Sequence, residues 1–353
     1  MHLILAVNPG STSTKIGLFE DDKALFKVTL RHEPAETAAC EDRQAQARFR
    51  RSALQDLLSE KAVDLSALDA IVVRGGLLKP LASGTYIVDE SLLNDLVTAR
   101  YGWHASNLGS IIALPLGRQL GIPVFTVDPV TVDEFDDPAR FSGLQGIERL
   151  SMSHALNTKA MARRAAVLAG RSYEEMNMIV VHLGSGISVS AHRRGRMIDV
   201  NNANEEGPFS LERCGTMPAL ALVRLCYSGD YSCEEMIGLL TGKAGVYSYL
   251  GTKDFAGVEQ DAEAGDEKAS GVIFAMAYQV AKEIAAMAAV LDGRVDCIVL
   301  TGGMAHAEGF VKIISEKIAF IAPIEVLPGE EELEALASGA LRVLRGDEQA
   351  KSY

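Results

Sequence analysis

Two short apolar segments separated by a polar turn open the chain. Residues 3–7 and 16–19 are apolar runs of strand length, and the residues between them read Asn-Pro-Gly-Ser-Thr-Ser-Thr-Lys. A short apolar run bounded by turn residues is typical of a buried strand. Backbone amides, four hydroxyl groups and one lysine in a tight turn suit phosphate oxygens. The segment predicts a strand–turn–strand unit that binds phosphate, with an ordinary polar hairpin turn as the alternative.

The same pattern occurs a second time near the middle of the chain. Residues 178–191 read MIVVHLGSGISVSA, which is again an apolar strand, a glycine-serine turn and a second apolar strand. His182 takes the position of Asn8, and Gly184 takes that of Gly10. A charged turn and a third apolar run follow in each copy. An internal repeat of this size predicts two similar domains, each with its own phosphate turn.

Helical and strand patterns alternate after each copy, which is typical of an α/β fold. Apolar runs predict further strands, and apolar residues at three-to-four spacing predict helices. The predicted strands cover residues 24–30, 68–73, 123–127, 197–200, 297–300 and 325–327, and the main predicted helices cover residues 43–61, 105–120, 151–168, 219–227, 233–240, 266–291, 310–318 and 330–344.

Polar, charged or glycine residues lie at the ends of several predicted strands. Arg74 and Asp128 each end an apolar run, and Gly302 and Gly303 end another. Ligands of open α/β folds bind beyond the carboxyl ends of strands, so Arg74 and Asp128 are candidate site residues. A salt bridge or a helix cap is the alternative for each. Glycines at a strand end would let a ligand approach the backbone closely.

Composition excludes several classes of protein. The 353 residues carry a formal net charge of −13, which argues against a nucleic-acid surface but allows a small basic pocket for an anionic substrate. The five cysteines are odd in number and form no CxxC pair, so reduced thiols in a cytoplasmic protein are expected. We expect neither a signal peptide nor a membrane-spanning segment.

Six motifs follow one another along the chain: NPGSTSTK at 8–15, VVRGG at 72–76, VDP at 127–129, SMSHALN at 151–157, VVHLGSGIS at 180–188 and VLTGGMAH at 299–306. Together they resemble the acetate kinase family of the actin-like ATPase superfamily. The resemblance covers essentially the whole chain, and the motifs occur in the order that the family requires. The start NPGSTSTK and the segment RGGLL resemble the shorter, butyrate kinase branch of that family.

The resemblance implies an α/β protein with two ribonuclease-H-like (actin-like ATPase) domains flanking a nucleotide cleft. The first domain would hold residues 1–129 and be completed by residues 333–353. The second would hold residues 130–332. The resemblance also implies a homodimer or higher homo-oligomer with no nucleic-acid or membrane partner.

The implied reaction is ATP-dependent phosphorylation of a short-chain carboxylate, butanoate + ATP giving butanoyl phosphate + ADP with Mg²⁺. A carboxylate is ionised at neutral pH because its pKa lies near 4, so no base is needed to generate the nucleophile. Catalysis would then consist of positioning and charge stabilisation. Two alternatives stay open: a kinase of another short acid (isobutyrate, propionate or acetate), and a non-catalytic actin-like switch that binds ATP.

The resemblance gives roles to five catalytic candidates and to one further acid, Glu331, as a metal ligand. Arg213 would bind the transferring phosphoryl group, and His154 would donate a hydrogen bond to it. Asp128 and Glu331 would hold Mg²⁺ or its waters, with the neighbouring glutamates as alternatives for Glu331. Arg74 would bind the acid, and Asn8 would reach the phosphoryl group.

The remaining candidates would bind the nucleotide. A structural histidine at a strand end is the alternative for His182, a solvated turn residue for Lys15, and a plain helix-start residue for His154. The implied binding residues are Gly10, Ser11, Ser13 and Lys15 in the first phosphate turn, His182, Gly184, Ser185 and Gly186 in the second, and Asp254, Phe255, Gly302, Gly303 and Met304 in the adenosine pocket.

Overall fold

A computed structural model describes residues 1–38 and 40–353. The described chain divides into two compact units. Unit 1 contains Met1–Val132 and Glu331–Tyr353, and unit 2 contains Asp133–Glu330. The last helix of the chain therefore belongs to the unit that the first strands build.

Unit 1 is built on a six-stranded sheet with the strand order β3-β2-β1-β4-β6-β5. The first three strands are antiparallel neighbours, whereas β4 and β6 run parallel to β1. The strands are β1 (Leu3–Pro9), β2 (Ser13–Glu20), β3 (Lys23–Arg31), β4 (Ala70–Arg74), β5 (Thr85–Ile87) and β6 (Val124–Val127).

Unit 2 is built on a five-stranded sheet that follows the same plan. Its order β9-β8-β7-β10-β11 again places three antiparallel strands beside two parallel ones. The repeat predicted from the sequence is therefore a repeat of sheet topology. The strands are β7 (Asn177–Leu183), β8 (Ile187–Arg193), β9 (Arg196–Val200), β10 (Cys297–Gly302) and β11 (Ile324–Pro328).

Helices connect and cover the strands in both units. Short 3₁₀ turns lie at Leu65–Ala67, Ala105–Asn107, Asp137–Arg140, Tyr173–Glu175 and Gly303–His306. The α-helices are α1 (Pro34–Ala38), α2 (Arg43–Glu60), α3 (Glu90–Thr98), α4 (Leu108–Leu120), α5 (Ala155–Leu168), α6 (Ala219–Cys226), α7 (Cys233–Gly242), α8 (Gly245–Leu250), α9 (Phe255–Glu263), α10 (Glu267–Val290), α11 (Glu308–Ile318) and α12 (Glu332–Arg345).

The helix predicted from Ser151 begins four residues later than expected. It starts at Ala155 with His154 in the N-cap position, and Ser151 lies in the preceding loop. The loop residues pack inward instead of extending the helix: Ser151 and Ser153 are buried, and the Ser153 hydroxyl contacts Met197 Sδ at 3.7 Å. Tertiary packing thus places His154 at the helix start rather than inside its first turn.

The longest helix, α10, forms the core of unit 2. It begins after Asp266, whose side chain accepts hydrogen bonds from the Lys268 and Ala269 amides, as expected for an N-cap. Its length and composition alone would allow it to cross a membrane. Met276, Val280 and similar residues on one face are fully buried against the sheet, so the apolar content builds a core.

Helix α12 packs closely against the sheet of unit 1 at a glycine. A Cβ added to Gly339 would lie 2.6 Å from Val127 Cγ2, which is shorter than any ordinary carbon–carbon contact. The Gly339 carbonyl also accepts a hydrogen bond from Thr85 Oγ1 at 3.2 Å. The absence of a side chain at Gly339 therefore sets the distance between helix and sheet.

We expect Gly339→Ala to destabilise the protein although alanine favours helices. Overpacking costs about 1–3 kcal/mol, whereas the gain in helix propensity is about 1 kcal/mol. Gly238→Ala in α7 is the matched control, since a Cβ there meets no atom within 4 Å. Urea denaturation should show a lower free energy of unfolding for Gly339→Ala only, and equal stability of the two variants would contradict this packing.

Candidate active site

The first phosphate turn joins β1 to β2. It is closed by a hydrogen bond from the Gly10 amide to the Ser13 carbonyl at 2.8 Å. Ser11 is exposed and Ser13 is half-buried, so the hydroxyl-bearing side of the turn is accessible. Arg50 of α2 binds the opposite side, a contact that the sequence pattern did not indicate. The turn thus has one accessible side and one fixed side.

Three predicted site residues of unit 1 meet on one carboxylate, that of Glu332. Asn8 Nδ2 donates to its Oε2 and Arg74 Nη1 donates to its Oε1, both at 2.5 Å. Lys15 Nζ lies 3.6 Å from Oε2 and keeps 43% of its side-chain exposure. Glu332 is buried, so two cations and an amide compensate its charge. Arg74 and Lys15 are therefore ion-paired rather than simply solvated.

Neighbouring residues of the glutamate run take different positions at the start of α12. Glu331 occupies the N-cap position of α12, and Glu332 is the first helical residue and the one that contacts Asn8 and Arg74. The run of three glutamates left this register open in the sequence. The structure shows that Glu332 is the glutamate that contacts Asn8 and Arg74, and this contact depends on how α12 packs.

Asp128 lies at the same sheet edge, just after β6. In the parallel pairing of β4 with β6, Arg74 faces Val127, so Arg74 and Asp128 end neighbouring strands. Asp128 is buried with a backbone φ of 39°, and its Oδ1 accepts hydrogen bonds from Ser83 Oγ at 2.6 Å and the Gly84 amide at 2.8 Å. These two hydrogen bonds hold the carboxylate in place. The positive φ of Asp128 is unusual for a non-glycine residue.

In unit 2 the second turn, Gly184-Ser185-Gly186, lies between β7 and β8. Two imidazole rings stack beside it: those of His154 and His182 are nearly parallel, with 3.9 Å between centroids. A Cβ added to Gly184 would lie 2.9 Å from His182 Nε2. The absence of a side chain at Gly184 therefore makes room for the imidazole of His182.

Hydrogen bonds on both sides orient the histidine pair. His182 Nδ1 lies 2.8 Å from Nδ2 of the buried Asn157 side chain. His182 Nε2 lies 3.3 Å from Glu330 Oε1. His154 Nδ1 lies 2.9 Å from Ser188 Oγ. Both ring nitrogens of His182 thus have a polar partner, and Nε2 also lies beside Gly184 of the turn.

Arg213 reaches the same turn from the loop between β9 and α6. A Cβ added to Gly186 would overlap its guanidinium and would lie 3.4 Å from His154 Cε1. Its Nη1 donates to the Ala203 carbonyl at 3.1 Å. Burial lowers the pKa of Arg213, but an arginine stays charged at neutral pH. The structure therefore brings Arg213, His154 and Gly186 together around one point.

The residues predicted for the adenosine pocket divide into two groups. Phe255 and Met304 are buried in the core of unit 2, where Phe255 packs edge-on against Phe310 with centroids 5.2 Å apart. Gly302 has a φ of 92°, and the backbone of Leu183 passes so close to it that a side chain at Gly302 would overlap Leu183. The absence of that side chain therefore serves packing within unit 2. The other group remains available: Gly303 has open space around it, and Asp254 stands at the N-cap position of α9.

The described residues contain no group of three or more histidine, cysteine, aspartate or glutamate side chains that could hold a metal ion. Mg²⁺ in phosphate-transfer sites is commonly held by one or two carboxylates together with phosphate oxygens and water. Asp128 and Glu332 are buried carboxylates at one end of the sheet of unit 1, so the donor set fits that mode. Two carboxylates do not provide enough ligands for a metal ion that is coordinated by protein side chains alone.

Comparison with known proteins identifies the family. Residues 138–326 match the model of the acetokinase family. The chain is 49% identical to butyrate kinase 1 of Clostridium acetobutylicum over 100% of both chains, and 49% identical to butyrate kinase 2 of that organism over 99% of both.

Solved structures of related kinases show the same fold. The acetate kinase of Porphyromonas gingivalis has a TM-score of 0.80 at 20% identity, covering 98% of this chain and 100% of its own. The propionate kinase of Francisella tularensis has a TM-score of 0.72 at 22% identity, covering 96% and 99%. The predicted actin-like ATPase fold is confirmed. The chain belongs to the acetokinase family.

Proposed function

We propose that this protein is a butyrate kinase, which transfers the γ-phosphoryl group of ATP to the carboxylate of butanoate. The observation that carries the proposal is the grouping of Arg213 and His154 on the second glycine turn. Full-length identity of 49% to proteins named butyrate kinase supports the choice of acid. A purely ATP-binding switch would not need this grouping.

The proposed reaction is an in-line displacement at phosphorus. A carboxylate oxygen of butanoate forms a bond to the γ-phosphorus while the bond to the β,γ-bridging oxygen breaks, and ADP leaves with that electron pair. No proton has to be removed from the acid. Arg213 and His154 bind the equatorial oxygens, where negative charge must be stabilised in the transition state. Fixed donors of this kind act without the cost of reorganisation.

We assign the nucleotide phosphates to the two glycine turns and the acid to Arg74. Asn8, Gly10, Ser11, Ser13 and Lys15 line the first turn, and His182, Gly184, Ser185 and Gly186 the second. Gly303 and Asp254 would face the adenosine, while Phe255, Met304 and Gly302 would shape its surroundings from the core.

The proposed metal is Mg²⁺, which would neutralise phosphate charge when bound. Asp128 and Glu332 would hold it or its waters, with Glu331 adjacent. The hydrogen bonds from Ser83 and Gly84 fix the Asp128 carboxylate in position for this role. The two units would correspond to the two actin-like ATPase domains of the family.

We also propose a cytoplasmic homodimer that associates through unit 2. Helix α6 has no buried residue in this chain, although most of its side chains are apolar. Leu220 and Val223 are 75% and 52% exposed. An apolar surface of this kind commonly marks a protein interface.

An acyl-hydroxamate assay with ATP, Mg²⁺ and unbranched acids of two to six carbons tests the reaction. We expect the highest kcat/KM with butyrate, because an apolar pocket distinguishes single methylene groups by about 1–3 kcal/mol. Addition of EDTA should abolish turnover. A maximum at acetate would contradict the assignment of butyrate only, whereas no acyl phosphate from any acid would contradict the kinase assignment.

Arg213→Ala should lower kcat by about 10²–10³-fold, the usual loss when a transition-state donor is removed. ATP binding measured by calorimetry should persist, because the glycine turns remain. Arg294→Ala, which removes an exposed arginine of the same unit, is the control. An unchanged kcat for Arg213→Ala would exclude Arg213 from the site.

The double variant Leu220→Glu/Val223→Glu should convert the dimer to a monomer, because charges on α6 would have to be buried in the interface. Light scattering coupled to gel filtration measures the mass. Val167→Glu is the control, since Val167 is 74% exposed on α5. A wild-type monomer would contradict the dimer, and an unaffected dimer would exclude the α6 surface.

A further inference from the structure

A buried arginine, Arg50, holds the first phosphate turn from behind. Its side chain is 1% exposed and projects from α2. Nη1 donates to the Gly10 carbonyl at 2.7 Å and to the Ser13 carbonyl at 3.0 Å, and Nη2 donates to the Ser11 carbonyl at 2.8 Å. One guanidinium thus binds three main-chain oxygens of a four-residue segment.

These contacts dictate which way the backbone amides of the turn face. A peptide carbonyl and the amide that follows it point in opposite directions, because the peptide bond is planar and trans. With the Gly10 and Ser11 carbonyls on Arg50, the Ser11 and Thr12 amides point away from it. Within the part of the chain that the structure describes, neither amide donates to a backbone carbonyl. Successive amides facing one way form a site for an anion.

Among the described residues, no carboxylate accepts a hydrogen bond from the Arg50 guanidinium. Its hydrogen-bond acceptors in the described residues are neutral oxygens, the fourth being Thr14 Oγ1 at 3.4 Å. Burial lowers the pKa of Arg50, and burial together with the Arg50 charge lowers the pKa of His32, which lies 2.8 Å from Thr14 Oγ1. An uncompensated buried cation is costly, and a phosphate bound across the turn would offset that cost.

We propose that Arg50 is a positioning residue that holds the Gly10–Thr14 turn so that the Ser11 and Thr12 amides bind a nucleotide phosphate. The inference rests on the proposed assignment of this turn to ATP. Arg50 acts through the turn and does not touch the substrate. Its charge strengthens phosphate binding from the far side of the turn.

The test compares Arg50→Lys and Arg50→Gln with Arg48→Gln, which removes an exposed arginine of the same helix. Arg50→Lys keeps the charge but loses the planar set of donors that binds several carbonyls at once. We expect the folded Arg50 variants to show at least a tenfold higher KM for ATP. We also expect a smaller rise in melting temperature with MgATP or inorganic tripolyphosphate. Arg48→Gln should match the wild type in both.

A purely structural role would give a different result. Loss of folded protein lowers the apparent kcat in proportion to the inactive fraction and leaves the KM for ATP unchanged. Folded Arg50 variants with wild-type KM and wild-type thermal shift would overturn the proposal. Failure of both variants to fold would assign Arg50 to stability alone and would also overturn it. The tripolyphosphate shift needs no turnover, so its loss in the Arg50 variants is distinguishable from a wild type that phosphorylates no acid.

Discussion

The buried carboxylate of Glu332 is the point on which the site of unit 1 depends. A charged group removed from water must be paired, and here the partners come from β1, β2 and β4. Asn8 and Glu332 are separated by 324 positions in the chain. Their contact fixes the start of α12 against the carboxyl end of the central strands. The same interaction therefore positions the last helix and orients the cations of the candidate site.

Duplication of one sheet plan has produced two turns with different chemistry. Asn8 and His182 hold equivalent positions at the ends of β1 and β7, and each precedes a glycine turn. The first turn offers amides, hydroxyls and a lysine, whereas the second is lined by stacked imidazoles and a half-buried arginine. The donors of the first turn suit phosphate groups that stay bound. The donors of the second turn suit a phosphoryl group whose charge changes during the reaction. The common scaffold explains the position of each turn, and local side chains explain its role.

Local pattern was enough to predict the long helices, the repeat of the two sheets and the described strands other than β5 (Thr85–Ile87). Hydrophobic periodicity and turn residues are local signals, because each is recognised from residues only a few positions apart in the chain. The pairing of Glu332 with Arg74, and the start of α5 after a buried Ser151, depend on packing between distant segments. Arg50 was missed for the same reason: in a helix rich in arginines, only tertiary structure shows which one is buried.

A protein with a formal net charge of −13 can still bind an anionic nucleotide because the relevant charges act at contact distance. At physiological ionic strength the field of exposed carboxylates is screened beyond about 8 Å. Arg50 is buried and Arg213 is half-buried, so screening is weaker there than at the surface and each hydrogen bond to an anion is stronger. Under the proposed assignment of the site, the surface charge governs solubility and these two shielded cations govern recognition of the nucleotide. Because these cations are held by main-chain carbonyls, they are in position before the substrate arrives.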